Sequence, residues 1–200
     1  NRRVVAMETY IGLVEVGVGL LPGAGGLAYL ARRAAENAIT APGTDVLAFL
    51  KDFFMNVATA KVGTSALEGR QLGYLLESDV VVPHKDELLY VAISQARAMA
   101  ERGWRAPLKS LFPVAGRSAI ATIRGQVTAM RDGGLVTEHD ADIAHRIATV
   151  LCGGDVDAGS LVDEEYLMNL ERRHFCELLD HPKTQERIMG MLSTGKPVRN

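Results

Sequence analysis

The sequence predicts an α/β fold that begins with short strands and ends as a helical array. Two apolar runs rich in β-branched residues, Val4 to Met7 and Tyr10 to Val14, open the chain and read as buried strands. A glycine-rich turn, Pro22-Gly23-Ala24-Gly25-Gly26, then leads into a helix. From Arg117 onward apolar residues recur every three or four positions, the period of helices with one buried face.

Leu27, Leu30 and Ala34 place the first helix over about 27–37, ended by Ala41-Pro42-Gly43. Val46, Phe49, Leu50, Phe53, Phe54 and Val57 predict an amphipathic helix running to Lys61 with Thr44 as its cap, its phenylalanines serving as core or, as the alternative, flanking an acyl tunnel. Ser65 and Glu68 form a capping-box pattern for a short helix to about Gly73, and Asp79 to Pro83 reads as a small strand. A helix resumes at Lys85, with Leu88, Val91, Ala92, Ala96 and Met99 as its buried stripe. The segment 104–116 holds Trp104, Pro107 and Pro113 without helical period, so it reads as a linker between a mixed part, 1–103, and a helical part, 117–200. In the latter, Ile120 to Met130 mark one helix, Ile143 to Val150 a second after Thr137, Leu167 to Leu178 a third after Ser160 with Asp163, and Ile188 to Leu192 a last one.

Composition narrows the partners. With 22 Lys+Arg against 24 Asp+Glu the net charge is -2, which gives no field for gathering nucleic acid. The apolar stretch from Val14 to Leu21 is interrupted by Glu15 and two glycines, far short of the ~20 residues of a membrane span. Cys152 and Cys176 lie in apolar helical patterns and read as reduced core thiols, consistent with a cytoplasmic setting. His84, His139, His145, His174 and His181 show no metal-ligand spacing, and His174 reads as a satisfied core or surface imidazole.

The chemistry concentrates between Glu15 and Gly26. An acid among Val14, Val16 and spaced glycines is costly to bury as a carboxylate, which makes Glu15 a candidate general acid or base. The turn after it presents unpaired N–H groups and the positive end of a helix dipole, suited to a water, an oxyanion or a phosphate. No Lys-Ser/Thr follows Gly26, which argues against a P-loop.

Together, Glu15 and the Gly19-Leu20-Leu21-Pro22-Gly23-Ala24-Gly25-Gly26 run resemble the signature segment of the crotonase (enoyl-CoA hydratase/isomerase) family. Gly63 to Tyr74 and the Lys183 to Pro197 tail are similar to further stretches of that family, and the nearest likeness is to bacterial 3-hydroxyacyl-CoA dehydrogenases that carry a hydratase domain at the C-terminus, the fatty oxidation complex alpha-subunit type. The resemblance implies a truncated crotonase-type (ClpP/crotonase) α/β fold, with 1–103 the C-terminal half of the core and 117–200 an oligomerisation region. It implies an acyl-CoA thioester substrate, hydration of 2-enoyl-CoA with Glu15 as a catalytic glutamate, and Pro22 and Gly23 placing the water. NAD is implied for a dehydrogenase part of the parent and no cofactor for this piece, with a homo-oligomer and a thiolase as partners. The family's second glutamate and oxyanion amides precede the matched region, so the chain, which opens Asn1-Arg2-Arg3, is expected to be an excised piece inactive alone. A helical assembly module, enoyl-CoA isomerisation and acyl-CoA hydrolysis are the competing readings.

Overall fold

The computed structural model describes residues 2–200. In chain order the first elements are β1 (Val4–Ala6), β2 (Ile11–Gly12), a 3-10 helix (Glu15–Val18), α1 (Gly26–Thr40), α2 (Val46–Ala58), β3 (Val62–Gly63) and α3 (Ala66–Gln71). There follow β4 (Val80–Val82), a 3-10 helix (Lys85–Glu87), α4 (Leu88–Glu101), β5 (Phe112–Pro113), α5 (Gly116–Asp132), α6 (Glu138–Leu151), β6 (Leu161–Val162), α7 (Glu164–Leu179) and α8 (Pro182–Thr194). They divide into two compact units that interleave along the chain. One takes the residues up to Gly12 together with Val62–Ser110, the other Leu13–Lys61 with Leu111–Asn200.

The expected crotonase-type α/β core is overturned by this architecture. Helices dominate, and the strands among the described residues are two or three residues long, joined only in three separate pairs. No layered sheet can be built from such pairs, because three or more strands sharing a hydrophobic face are needed for a stable sheet layer. Val4–Ala6 and Ile11–Gly12 do form strands, but half-buried rather than buried ones.

In the smaller unit β1 runs parallel to β4, with Val4 opposite Val80, and β2 runs antiparallel to β3. Asp79, 3% exposed, fixes the approach to β4 by accepting from the Leu76 N–H at 2.7 Å and pairing with the Arg3 guanidinium at 3.1 Å. Ser65 caps α3 through the Glu68 N–H as its spacing predicts. The Glu68 carboxylate reaches the Thr64 N–H at 2.8 Å. Helix α4 follows the Lys85–Glu87 turn, and its stripe is corrected: Leu88, Val91, Ala92 and Met99 are half-buried and Ala96 is exposed.

The larger unit is a helical assembly around α1, whose Leu27, Leu30, Ala34 and Ala35 are fully buried. Helices α2, α6 and α7 pack on it. Small side chains at Ala28, Ala31, Ala34 and Ala35 line much of its buried surface, which lets neighbouring backbones come close. Leu50, Phe53, Phe54 and Val57 bury one side of α2 as expected, but its cap is Asp45, accepting from Ala48 N–H at 2.9 Å, and not Thr44. Thr137 and Asp140 make a full capping box on α6, and Asp163 rather than Ser160 caps α7. Residues 104–116 include β5, which pairs antiparallel with β6, and the first residue of α5. Cys152 is buried, which pushes its thiol up to about 12, whereas Cys176 is exposed and not a core thiol.

A guanidinium is among the charged groups buried inside this unit. Arg187 on α8 is 2% exposed and donates from Nη1 to Asp140 at 2.8 Å and from Nε to Asn200 at 2.8 Å. Removing one partner of a buried pair strands the other charge. Asp140→Ala is therefore expected to destabilise the fold by about 3–5 kcal/mol in urea unfolding, and Asp140→Leu combined with Arg187→Met to recover most of that loss.

Candidate functional site

Glu15 occupies the first position of the Glu15–Val18 3-10 helix in the larger unit rather than a strand end. It is half-buried, and its Oε2 is shielded from solvent without a hydrogen-bond partner among the described residues. A buried acceptor left unpaired is costly, and such groups concentrate where a ligand or proton completes them.

The turn carrying Glu15 is held from two other helices. Gly19 closes the 3-10 helix at φ 85, and a Cβ there would lie 3.0 Å from the Thr184 Cα. Its carbonyl accepts from Thr184 Oγ1 at 2.7 Å, and Thr184 Oγ1 lies 3.0 Å from His139 Nε2. Because the Thr184 proton is committed to a carbonyl, which can only accept, the hydroxyl oxygen must accept from His139, so Nε2 carries that ring's proton. His139 Nδ1 is left buried and unprotonated, without a hydrogen-bond partner among the described residues, and the ring is stacked on His181 at 4.5 Å between centroids.

Beyond Gly19 the chain reaches Pro22, which is buried, and Gly23, which lies at the solvent edge under the Phe175 ring, where a Cβ would sit 2.6 Å from Phe175 Cδ2. Helix α1 starts after Gly25 in the left-handed region at φ 88 and has no cap from its own side chains. Glu171 of α7 supplies one. Its carboxylate accepts from Gly25 N–H at 2.6 Å and from Ala28 N–H at 2.8 Å while wholly buried. Burial raises the Glu171 carboxyl above the usual range, the backbone donors of Ala28, Gly25 and Leu27 pull it down, and the charge of Glu15 pushes it up again.

The structure thus brings Glu15 into electrostatic reach of Glu171 and fills the helix terminus that sequence reasoning had left to a water or a phosphate. Glu171 was missed although its position carries a signal: it stands four after Leu167 and four before Phe175, on the apolar stripe of α7. The stacking of His139 on His181 had no such signal. His174 is half-buried against Arg146 and Glu177, which matches its reading as a satisfied imidazole. No group of three or more His, Cys, Asp or Glu among the described residues is placed to hold a metal ion, and no helix of the described residues is long and apolar enough to cross a membrane.

The turn does not fit a dinucleotide. It follows a 3-10 helix rather than a strand, and the N–H groups that would meet a pyrophosphate are engaged by the Glu171 carboxylate, which would repel one.

No protein-family model matches the chain. It is similar to a probable 3-hydroxyacyl-CoA dehydrogenase of Bacillus subtilis (strain 168), 40% identical over 195 residues. That alignment takes in 98% of this chain but only 24% of the relative's length.

His139 gives a pH test. Burial first, then the charges of Arg187 and His181, lower it from 6.5 to about 4. The unfolded chain therefore binds a proton between those values that the folded one refuses, and stability rises with pH across that window. His145 and His174 are lowered as well and act the same way, whereas the raised Glu171 opposes them, so a single variant is needed to isolate His139. His139→Gln keeps a donor toward Thr184 and cannot titrate. Urea midpoints measured from pH 7 to pH 4 should fall less steeply for the variant than for the parent. Parallel curves would mean that His139 is protonated in the fold.

Proposed function

We propose that this chain is part of an enzyme of fatty-acid oxidation acting on acyl-CoA thioesters, a 3-hydroxyacyl-CoA dehydrogenase in type. The carrying observation is the identity of 40% over nearly the whole chain to a relative described as such a dehydrogenase. NAD would accept the hydride and would be bound by residues outside this chain, because the glycine turn here does not fit it. A homo-oligomer and a thiolase receiving the oxidised product belong to the same reading.

The finer proposal concerns the site. Glu15, with a shielded and unpartnered Oε2 beside Glu171, is suited to carry a proton, and the reaction that would use it is addition of water to a 2-enoyl-CoA. Pro22 and Gly23 would shape the path of that water. Burial first, and the charge of Glu15 last, raise the Glu171 carboxyl, so the two acids lie within electrostatic reach of one another.

In the intact protein, Glu15→Gln keeps shape and removes the proton carrier. Hydration of crotonyl-CoA should fall by roughly 100–10,000-fold, with NAD-linked oxidation of 3-hydroxybutyryl-CoA unchanged. If the parent protein oxidises but does not hydrate, the dehydrogenase reading stands and the hydration proposal is lost. If both activities and the melting temperature fall together in the variant, Glu15 is a structural residue.

A further inference from the structure

We infer that the smaller unit holds a binding site for a small organic anion carrying a flat ring, an aromatic carboxylate or phosphate ester. The site is a cavity of about 480 Å³, a size typical of small-molecule sites. Gln95, Ala98, Met99 and Arg102 recur at three- and four-residue spacing, so one side of α4 and its end forms one wall. The other wall is Arg2 and Ser78. The parallel register of Val4 with Val80 brings these two together, each standing two residues before its strand.

Trp104 completes the lining, and the ending of α4 holds it there. The Trp104 N–H donates to the Met99 carbonyl at 3.0 Å and the Gly103 N–H to the Ala100 carbonyl at 3.0 Å, the paired bonds of a Schellman ending. Gly103 supplies the left-handed residue this ending needs, at φ 68. The chain is thereby folded back, so that Trp104 and Met99 face the same space. The indole stays 41% exposed, held in place by the backbone with much of its surface uncovered.

Charge and shape select the occupant. Arg2 donates to Gln95 Oε1 at 3.0 Å, a neutral partner, and neither Arg2 nor Arg102 forms an ion pair or stacks on the indole among the described residues. No carboxylate of the described residues lines the cavity. Glu77 and Asp79, on either side of Ser78, are paired with Arg70 and Arg3. The end of α4 carries a partial negative charge of about half an elementary charge, which two full cations outweigh. With its oxygen taken by Arg2, the Gln95 amide is left to donate, as the Ser78 hydroxyl can. Guanidinium forks match the paired oxygens of a carboxylate or phosphate. A flat ring on the same molecule stacks on the indole and meets the Met99 thioether. An aliphatic anion would leave the indole unused, and an aromatic cation would be repelled. The cavity shares no residue with the Glu15 turn.

Calorimetry on the intact protein would compare phenyl phosphate, benzoate, cyclohexyl phosphate and inorganic phosphate, and would be repeated with Arg102→Gln and with Trp104→Ala. Both positions are exposed, so the fold should persist in either variant. Phenyl phosphate should bind more tightly than cyclohexyl phosphate or inorganic phosphate. Arg102→Gln should weaken it about tenfold or more, the effect of losing a hydrogen bond to a charged group. Trp104→Ala should weaken it roughly two- to tenfold and leave cyclohexyl phosphate unchanged. Benzoate binding in place of phenyl phosphate, with the same response to both variants, upholds the site and makes its head group a carboxylate. Equal affinity for phenyl and cyclohexyl phosphate overturns the flat ring as the feature recognised. Absence of binding by both aromatic probes, or binding that neither variant alters, overturns the site. Displacement of phenyl phosphate by coenzyme A also overturns the inference, because the cavity would then belong to a thioester site.

Discussion

Much of the larger unit depends on one carboxylate. Helix α1 begins at a left-handed glycine with no side chain able to cap it, yet it is the helix on which α2, α6 and α7 pack. Its first N–H groups are satisfied by Glu171, 146 residues further along the chain at Gly25. A fully buried carboxylate would by itself oppose folding, because desolvation of an unpaired charge costs more than most packing contributes. Placed on the donors of a helix N-terminus it meets both hydrogen bonds and a favourable dipole, so the same group that is costly alone becomes the tie between two helices. The tie is also exclusive. A helix end already holding a carboxylate has neither donors nor charge to offer a phosphate.

A second tie works on the other side of Glu15. Thr184 in α8 donates to the Gly19 carbonyl, and His139 in α6 donates to Thr184. This chain of donors can run in one direction only, since its last acceptor is a carbonyl, and that sets the histidine tautomer without any freedom. The four-residue 3-10 helix between these anchors would have little stability of its own, as such short segments do. Its order comes from what grips it, Glu171 of α7 holding the start of α1 after it and the Thr184 bridge at its end. A side chain in such a turn is positioned by tertiary contacts far away in sequence, which is the condition for a reproducible site on a short element.

How far the sequence could be read follows the same division between local and distant causes. The helices of the C-terminal part were legible because their period and their caps are local properties, and the Thr137 start of α6 and the Ser65 cap stand where the spacing puts them. Thr44 and Ser160 lost their expected roles to Asp45 and Asp163, since Ser, Thr and Asp cap about equally well and only the backbone angle at the junction decides among neighbours. The fold class failed for a different reason. The likeness to crotonases is carried chiefly by the short Glu15 to Gly26 run, and a turn motif fixes a local path without determining which strands pair. Here β1 finds β4 and β2 finds β3, in pairs too short to form a layer. In the site, Glu15 was visible as an acid among apolar residues. Glu171, an acid on an apolar stripe, offered the same signal but required knowing which helix end the stripe would face.

The Glu15–Val18 helix joins two features that would otherwise be unrelated. A 3-10 helix advances by three residues per turn, so consecutive side chains point about 120° apart. Val16 and Gly17 of this turn line an apolar cavity of the larger unit, while Glu15, one position earlier, is within electrostatic reach of Glu171. The turn has little room to shift, because its closing glycine is pressed against Thr184 and Arg187 and its carbonyl is committed. Arg187, which also lines the cavity, is the buried cation held by Asp140, so the cavity, the capping box of α6 and the anchor of the Glu15 turn draw on the same few residues.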